Sequence, residues 1–246
     1  AGQQVTLTAT AGSVSASSAT STAANVIIGA GTDISGTDVN AFTTAALTAA
    51  TDIAGGSVLA NGNVTMTATA GEINGTAVQT LTDANLTAGL DIAGVTVDGA
   101  NATLTAGQDI VGGAVSVTTA ADLNATADIA GTTVDAGSAT LDSVNIVGAI
   151  VNTNTTAALT ATDSIQGGSV NAGTTATLLA ANAIDGIAVQ GTGLGQFTAT
   201  AGSVTNRSAT SDAANVIIGA GAAISGSTVD AATTVGLTAG DSIQGG

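Results

Sequence analysis

The sequence predicts an all-β chain: a parallel β-helix, or β-solenoid, of about 12–13 rungs with about 19 residues per rung and no separate globular domain. Three observations predict this fold. Apolar residues recur at nearly constant intervals along the chain, short segments alternate with a period of two, and Val, Ile and Thr are abundant while Pro is absent. A period of two is strand patterning, and self-similarity at a fixed spacing of this size is typical of solenoids.

The first recurrence is an anchor column, formed by an apolar residue that usually follows Asp and that returns once per rung. Its members are Val14, Ile34, Ile53, Ile73, Ile92, Ile110, Ile129, Ile146, Ile165, Ile184, Val204, Ile224 and Ile243. A Gly lies two positions after most anchors, at Gly36, Gly55, Gly75, Gly94, Gly112, Gly131, Gly148, Gly167, Gly186, Gly226 and Gly245. Ala16 and Asn206 interrupt this column. We interpret it as the corner of the coil, where a Cβ cannot be accommodated.

Two more columns keep the same register. A Val lies five positions after most anchors, at Val39, Val58, Val78, Val97, Val115, Val134, Val151, Val170, Val189 and Val229. A larger apolar residue follows at Ile27, Leu47, Met66, Leu86, Leu104, Leu123, Leu141, Leu159, Leu178, Phe197, Ile217 and Leu237. Each column begins a short alternating segment, so three strands make one rung, and equivalent residues stack about 4.8 Å apart.

A longer repeat overlies these rungs. The segment 8–56 matches the segment 198–246 at an offset of about 190 residues, roughly ten rungs, so the array has a superrepeat of that length. We expect residues 1–246 to be a single continuous β-solenoid segment of a longer repetitive protein. Neither end shows the polar cap that isolated solenoids carry. The sequence therefore predicts end-to-end stacking or lateral association with copies of itself, or with flanking repeats of the same chain.

The composition excludes several classes of function. The chain carries 17 acidic residues against one basic residue, Arg207, for a net charge of −16, and it has no His and no Cys. Nucleic acid and anionic membranes attract Lys and Arg, and no apolar run approaches the length of a membrane span. We expect no nucleic-acid partner and no membrane insertion. Catalysis by His or a thiol is excluded, as are the usual zinc sites.

The residue before the anchor is acidic over successive rungs. This acidic ladder comprises Asp33, Asp52, Glu72, Asp91, Asp109 and Asp128. Stacking would place its carboxylates about 4.8 Å apart along one edge. In one interpretation the side chains are solvated and keep fibres apart. In the other, Ca²⁺ bridges neighbouring carboxylates, since calcium prefers oxygen ligands; no other cofactor is expected.

Threonine and aspartate patterns raise two further functions. Thr48, Thr67, Thr87 and Thr105 follow the third column, and such a ladder could bind ice, although Asn124 interrupts it. Stacked Thr also has the simpler explanation of high β-propensity. Asp pairs could act as the acid and base of a polysaccharide-active enzyme. Rungs of such uniform length leave no room for a catalytic loop, so we expect no enzyme and no catalytic residues.

The stretches LTAGQDIVGG (104–113), LTAGLDIAG (86–94) and LTAGDSIQGG (237–246) resemble the repeats of filamentous haemagglutinin-like exoproteins. These are bacterial surface adhesins of the two-partner-secretion type. The resemblance implies a right-handed coil and an extracellular or cell-surface location. We therefore expect a structural shaft that spans distance or forms a filament, sheath or matrix, with a host-surface or matrix ligand as a further partner.

Overall fold

β-Strands make up all the regular secondary structure in the computed structural model, which describes residues 3–15, 17–205 and 208–245. Contacts within the chain divide it into two units, residues 1–126 and 127–246. Each unit is a parallel β-solenoid with about 19 residues per turn, and the two units together have about 12 turns. The predicted fold class is confirmed. Within the described ranges no helix is long and apolar enough to cross a membrane. Ala16, Asn206 and Arg207 lie outside those ranges.

The strands of the first unit are short and repeat in groups of three. They are β1 (Val5–Ala9), β2 (Val14–Ser15), β3 (Ser18–Ser21), β4 (Val26–Ala30), β5 (Ile34–Ser35), β6 (Asp38–Ala41), β7 (Ala45–Ala49), β8 (Ile53–Ala54), β9 (Ser57–Ala60), β10 (Val64–Ala68), β11 (Ile73–Asn74), β12 (Ala77–Thr80), β13 (Asp83–Ala88), β14 (Ile92–Ala93), β15 (Thr96–Ala106), β16 (Ile110–Val111) and β17 (Ala114–Ala125). Two of them, β15 and β17, run through a corner and join two segments of one turn.

The second unit repeats the pattern. Its strands are β18 (Asp128–Ala130), β19 (Thr133–Ala136), β20 (Ser138–Val147), β21 (Ile150–Thr153), β22 (Thr156–Gln166), β23 (Ser169–Ala172), β24 (Thr175–Ala180), β25 (Ala183–Asp185), β26 (Ala188–Gly191), β27 (Gly195–Ala199), β28 (Ser203–Thr205), β29 (Ser208–Ser211), β30 (Val216–Ala220), β31 (Ala223–Ala231), β32 (Val235–Ala239) and β33 (Ser242–Gly245).

Parallel pairing within each unit follows the predicted columns. In the first unit the anchors Val14, Ile34, Ile53, Ile73, Ile92 and Ile110 are successive ladder partners. In the second unit Ile129, Ile146, Ile165, Ile184, Val204, Ile224 and Ile243 are likewise paired. The inward side chains are buried and the alternate side chains face out, as in β24, where Leu178 is fully buried and Leu179 is 41% exposed. Period-two patterning therefore places the core, and each turn packs on its neighbours.

The assignment of Ile27 and Ile217 to the third column is wrong. Ile28 pairs with Leu47, and Ile218 lies between Phe197 and Leu237 in the ladder. Ile28 and Ile218 are 1% and 0% exposed, whereas Ile27 and Ile217 are 37% and 42% exposed. The inward residue is therefore the second isoleucine of each Val-Ile-Ile-Gly segment, because the alternation starts from buried Val26 and Val216.

The glycine corner is confirmed, but its predicted cause is wrong. Gly36, Gly75 and Gly112 have φ of 55°, 59° and 63°, the left-handed region. An added Cβ would meet no atom within 4 Å at any of the three, so space is not the constraint. L-residues pay an energetic cost at positive φ whereas glycine does not. Crowding applies instead to a neighbouring glycine such as Gly113, where a Cβ would lie 2.2 Å from the Val95 carbonyl oxygen.

Candidate functional site

The acidic ladder forms at one corner of the first unit. Because the anchors pair residue for residue, the preceding residues Asp33, Asp52, Glu72, Asp91 and Asp109 stack on successive turns. The backbone positions of these five residues therefore stack on successive turns, as the sequence predicted. Asp128 precedes Ile129 in the second unit, where Asn145 is its ladder partner.

Three ladder carboxylates, those of Asp33, Asp52 and Asp91, accept hydrogen bonds from the peptide N–H of the equivalent residue on the next turn. The Asp52 carboxylate accepts from the backbone N–H of Glu72 at 2.8 Å, and the Asp91 carboxylate accepts from the N–H of Asp109 at 2.9 Å. The ladder residues also accept at their carbonyls, since the Ile73 N–H donates to the Asp91 carbonyl at 2.9 Å. Each of these carboxylates therefore satisfies the peptide N–H of the residue that precedes the anchor on the next turn.

Three donors converge on the Asp33 carboxylate. The Thr51 hydroxyl donates to its Oδ1, the Asp52 N–H donates to the same oxygen at 3.4 Å, and the Ser13 hydroxyl donates to Oδ2 at 3.4 Å. The Thr51 hydrogen bond, followed by the Asp52 N–H, lowers the pKa of Asp33 below its ordinary value. Hydrogen bonds to a carboxylate favour its charged form, so this corner holds a stabilised negative charge.

In the second unit neutral side chains occupy most of the positions before the anchors. The Asn145 amide donates to Asp128 Oδ1 at 2.9 Å, and the Ser164 hydroxyl donates to Asn145 Oδ1 at 2.8 Å. The Gln166 amide in turn donates to the Ser164 hydroxyl oxygen at 3.1 Å. Side-chain hydrogen bonds between turns therefore also form where the residues before the anchors are neutral, so they do not require carboxylates.

The geometry of the ladder bears on its predicted use as a calcium site. Within the described part of the chain, no group of three or more His, Cys, Asp or Glu side chains comes together in a way that could hold a metal ion. Calcium takes six to eight oxygen ligands, whereas Asp52 and Asp91 each direct an oxygen to a peptide N–H. Calcium binding by Asp33, Asp52, Glu72, Asp91, Asp109 and Asp128 stays a prediction, and any such site would draw on backbone carbonyls and water.

A second candidate surface lies on the outer side of the third strand in the first unit. We call it the threonine face; its outward residues are Thr6, Thr8, Ile27, Gly29, Ala46, Thr48, Thr65, Thr67, Asn85, Thr87, Thr103 and Thr105. Thr48, Thr67, Thr87 and Thr105 are ladder partners on consecutive turns, and Asn124 follows, as the sequence indicated. In the second unit Leu179 separates Thr160 from Thr198.

The threonine face has a depression at Gly29. Gly29 lies between Thr8 and Thr48 in the ladder and leaves a gap in their column. The result is an open hollow of about 260 Å³ lined by these residues and their neighbours. Sequence reasoning missed it, although a Gly within a run of Thr at matching positions is a readable signal of a gap.

Comparison with known protein families, curated proteins and solved structures gave no match to this chain.

Proposed function

We propose that this chain is a segment of a structural, extracellular shaft that spans distance or forms a filament, sheath or matrix at a microbial cell surface. The observation that carries the proposal is the regular register of both units. Paired columns advance by about 19 residues per turn, so the turns carry no long inserted loop among the described residues. Enzymes and binding proteins place their sites on such loops, whereas a shaft requires only repeated, mutually stabilising turns.

The core fits a load-bearing role because it is spread evenly along the stack. Buried Ile, Val, Leu and Ala recur in each turn, and Phe197, one of the two aromatic residues, occupies the same column as Leu178. Stability is then a sum of turn and nearest-neighbour contributions. Loss of one turn costs a local contribution and leaves distant turns intact, as a mechanical element requires.

The resemblance of the LTAG-type stretches to filamentous haemagglutinin-like repeats supports the same proposal. It brings with it the right-handed coil, the extracellular location and a distal ligand on a host surface or matrix. The proposed partners of the shaft itself are other copies or flanking repeats. Catalysis has no place in this proposal, and neither does a resident cofactor.

Electron microscopy of native material tests the proposal. A thin filament whose diffraction shows an axial spacing of about 4.8 Å supports it. A compact particle without that spacing contradicts it. Release of reducing sugars from a panel of polysaccharides would instead indicate the enzyme alternative.

Ice binding is a second candidate, favoured by the four consecutive Thr of the threonine face. Their side chains are regularly spaced between turns, about 4.8 Å apart, and a second outward Thr stands on the same strand beside Thr67 and Thr105. A thermal-hysteresis assay on the purified chain is the test. No depression of the freezing point below the melting point would exclude this function.

A further inference from the structure

The distribution of charge singles out the threonine face. The chain carries a net charge of −16, yet none of the outward positions of this face is charged. Charged residues bound it: Asp83 begins β13, two positions before Asn85, and Asp122 pairs with Thr103 on the turn that follows the last turn of the face. The acidic ladder occupies a different corner of the same turns. Copies of an acidic protein repel one another, and an uncharged face is where two copies approach at least electrostatic cost.

The same face carries an exposed apolar side chain beside its depression. Ile27 is 37% exposed and lies two positions before Gly29 in β4, so both point outward. The hollow at Gly29 has a volume of about 260 Å³. Exposed apolar groups gain free energy when they are removed from water. The exposed Ile27 side chain and the hollow at Gly29 thus lie two residues apart on the same outward side of β4.

This arrangement recurs in the second unit. Ile217 is 42% exposed and lies two positions before Gly219, which stands between Thr198 and Thr238 in its ladder. The recurrence belongs to the match between residues 8–56 and 198–246. In each unit the exposed isoleucine and the outward glycine occupy the same relative positions.

We propose that the threonine face is a lateral contact surface for a second copy of this chain. The inference deepens the proposed shaft function and rests on it. A two-fold symmetric contact brings the same patch of both copies together. When two faces meet with their strands antiparallel and their turns in register, the Ile27 side chain of each copy covers the Gly29 hollow of the other. The outward column that contains Thr48 and Thr67 then lies against the column that contains Ala46 and Thr65 of the second copy.

The size of the face sets the strength of the contact. Six turns at about 4.8 Å and five residues at about 3.3 Å give an area of about 470 Å² per copy. Stable interfaces bury about 800 Å² per partner. A single pair of faces is therefore weak and reversible, and a shaft that repeats the face gains strength through many linked contacts.

Salt distinguishes this contact from one built on ion pairs. Repulsion between the acidic copies is screened over about 10 Å at about 0.1 M salt. The face has no charges whose attraction salt could weaken. Lateral association should therefore strengthen as NaCl is raised, whereas an interface of opposite charges would weaken.

Sedimentation velocity across protein and NaCl concentrations is the experiment, with Gly29→Thr as the main variant. Gly29 has no positive φ, and a Cβ there meets nothing within 4 Å, so the fold should tolerate the change. Filling the hollow should weaken dimerisation at least about tenfold, a free-energy change of about 1.4 kcal/mol. The matched control is Ala77→Thr, which adds an outward Thr on β12, away from the face, and should leave dimerisation unchanged.

A second pair of variants tests the role of charge. Thr87→Asp places a carboxylate in the middle of the face, and Thr96→Asp makes the same change at an exposed position of β15 outside it. Thr87→Asp should abolish dimerisation and Thr96→Asp should not. Circular dichroism before each run shows that all four variants are folded.

Each other outcome overturns the inference. If the chain stays monomeric at all protein and NaCl concentrations, the inference is overturned. The proposed shaft function would still stand if native filaments show the axial strand spacing. Association that is unaffected by Gly29→Thr indicates end-to-end stacking instead. Because Gly29→Thr extends the Thr column, thermal hysteresis that rises in this variant while dimerisation stays constant assigns the face to ice.

Discussion

Truncation of two adjacent leucines in β24 tests the inward and outward assignment most directly. Leu178 is 0% exposed and lies between Leu159 and Phe197 in the ladder, whereas Leu179 is 41% exposed and lies between Thr160 and Thr198. The two residues share a residue type, a strand and a turn. Replacing either with Ala therefore makes the same chemical change in two different environments.

The expected costs differ by a factor of two or more. Leu178→Ala removes buried carbons and leaves a cavity between two large neighbours, which costs about 3–5 kcal/mol. Leu179→Ala loses three carbons at about 0.8 kcal/mol each, scaled by the roughly 59% that is buried, for at most about 1.4 kcal/mol. No cavity forms at the surface, so the true cost should be lower.

Hydrogen exchange measured by mass spectrometry is the assay, supported by urea denaturation. Leu178→Ala should raise exchange in the 159–197 segment and leave the first unit nearly unchanged, since turns couple mainly to their nearest neighbours. Leu179→Ala should hardly alter the pattern. Equal effects at the two positions, or a loss of protection along the whole chain, would refute the reasoning.

Four further outcomes are expected. Thr153→Val should leave the free energy of unfolding in urea unchanged or raise it by about 1–3 kcal/mol, because the buried Thr153 hydroxyl has no hydrogen-bond partner among the described residues. The matched change Ser211→Ala should lower the free energy of unfolding by about 1 kcal/mol, since the Ser211 hydroxyl donates to the Gly193 carbonyl at 2.6 Å. Gly112→Ala should cost about 1–2 kcal/mol by the same assay, through its φ of 63°, and no loss would show that this corner can adopt another conformation. The pKa of Asp33 is lowered in the folded state, so its ionised form stabilises the fold above the unfolded pKa of about 3.9, and this contribution is lost as the pH falls through the folded pKa. The melting temperatures of the wild type and Asp33→Asn, measured from pH 6 to pH 2, should therefore converge only at the acid end. Calcium at constant ionic strength should raise the melting temperature relative to EDTA if the acidic ladder binds it, and unchanged melting with no heat of binding would exclude this use.

The columns could be predicted from sequence because a solenoid repeats one environment many times. Each anchor such as Ile53 has an equivalent residue above and below it, so a single pattern is confirmed by many turns. The error at Ile27 arose where this redundancy fails. Two adjacent isoleucines carry no alternation signal, and the segment from Val14 to Ile28 is one residue longer than its equivalents in most turns.

The details of the corners could not be predicted from sequence. The recurring Gly column predicts that glycine is needed at position 112, but it does not tell whether the reason is the backbone angle φ or a lack of space for a Cβ. The structure shows that the reason is φ. Likewise the sequence showed that Asp52 stacks, but the direction of its carboxylate depends on where the Glu72 N–H lies. The backbone angle and the carboxylate direction both depend on three-dimensional orientation, which the repeat pattern of the sequence does not specify.

The shared register of the turns within each unit has a consequence for how such a gene can change. Each turn contacts mainly the turn before and the turn after it, and the partners in each column are nearly interchangeable. A duplication or deletion of whole turns therefore creates a new junction that resembles the old ones and leaves every core position filled. Recombination can therefore vary the length of the chain at almost no cost in folding. The match between residues 8–56 and 198–246, which are offset by roughly ten turns, is what one such event would leave behind.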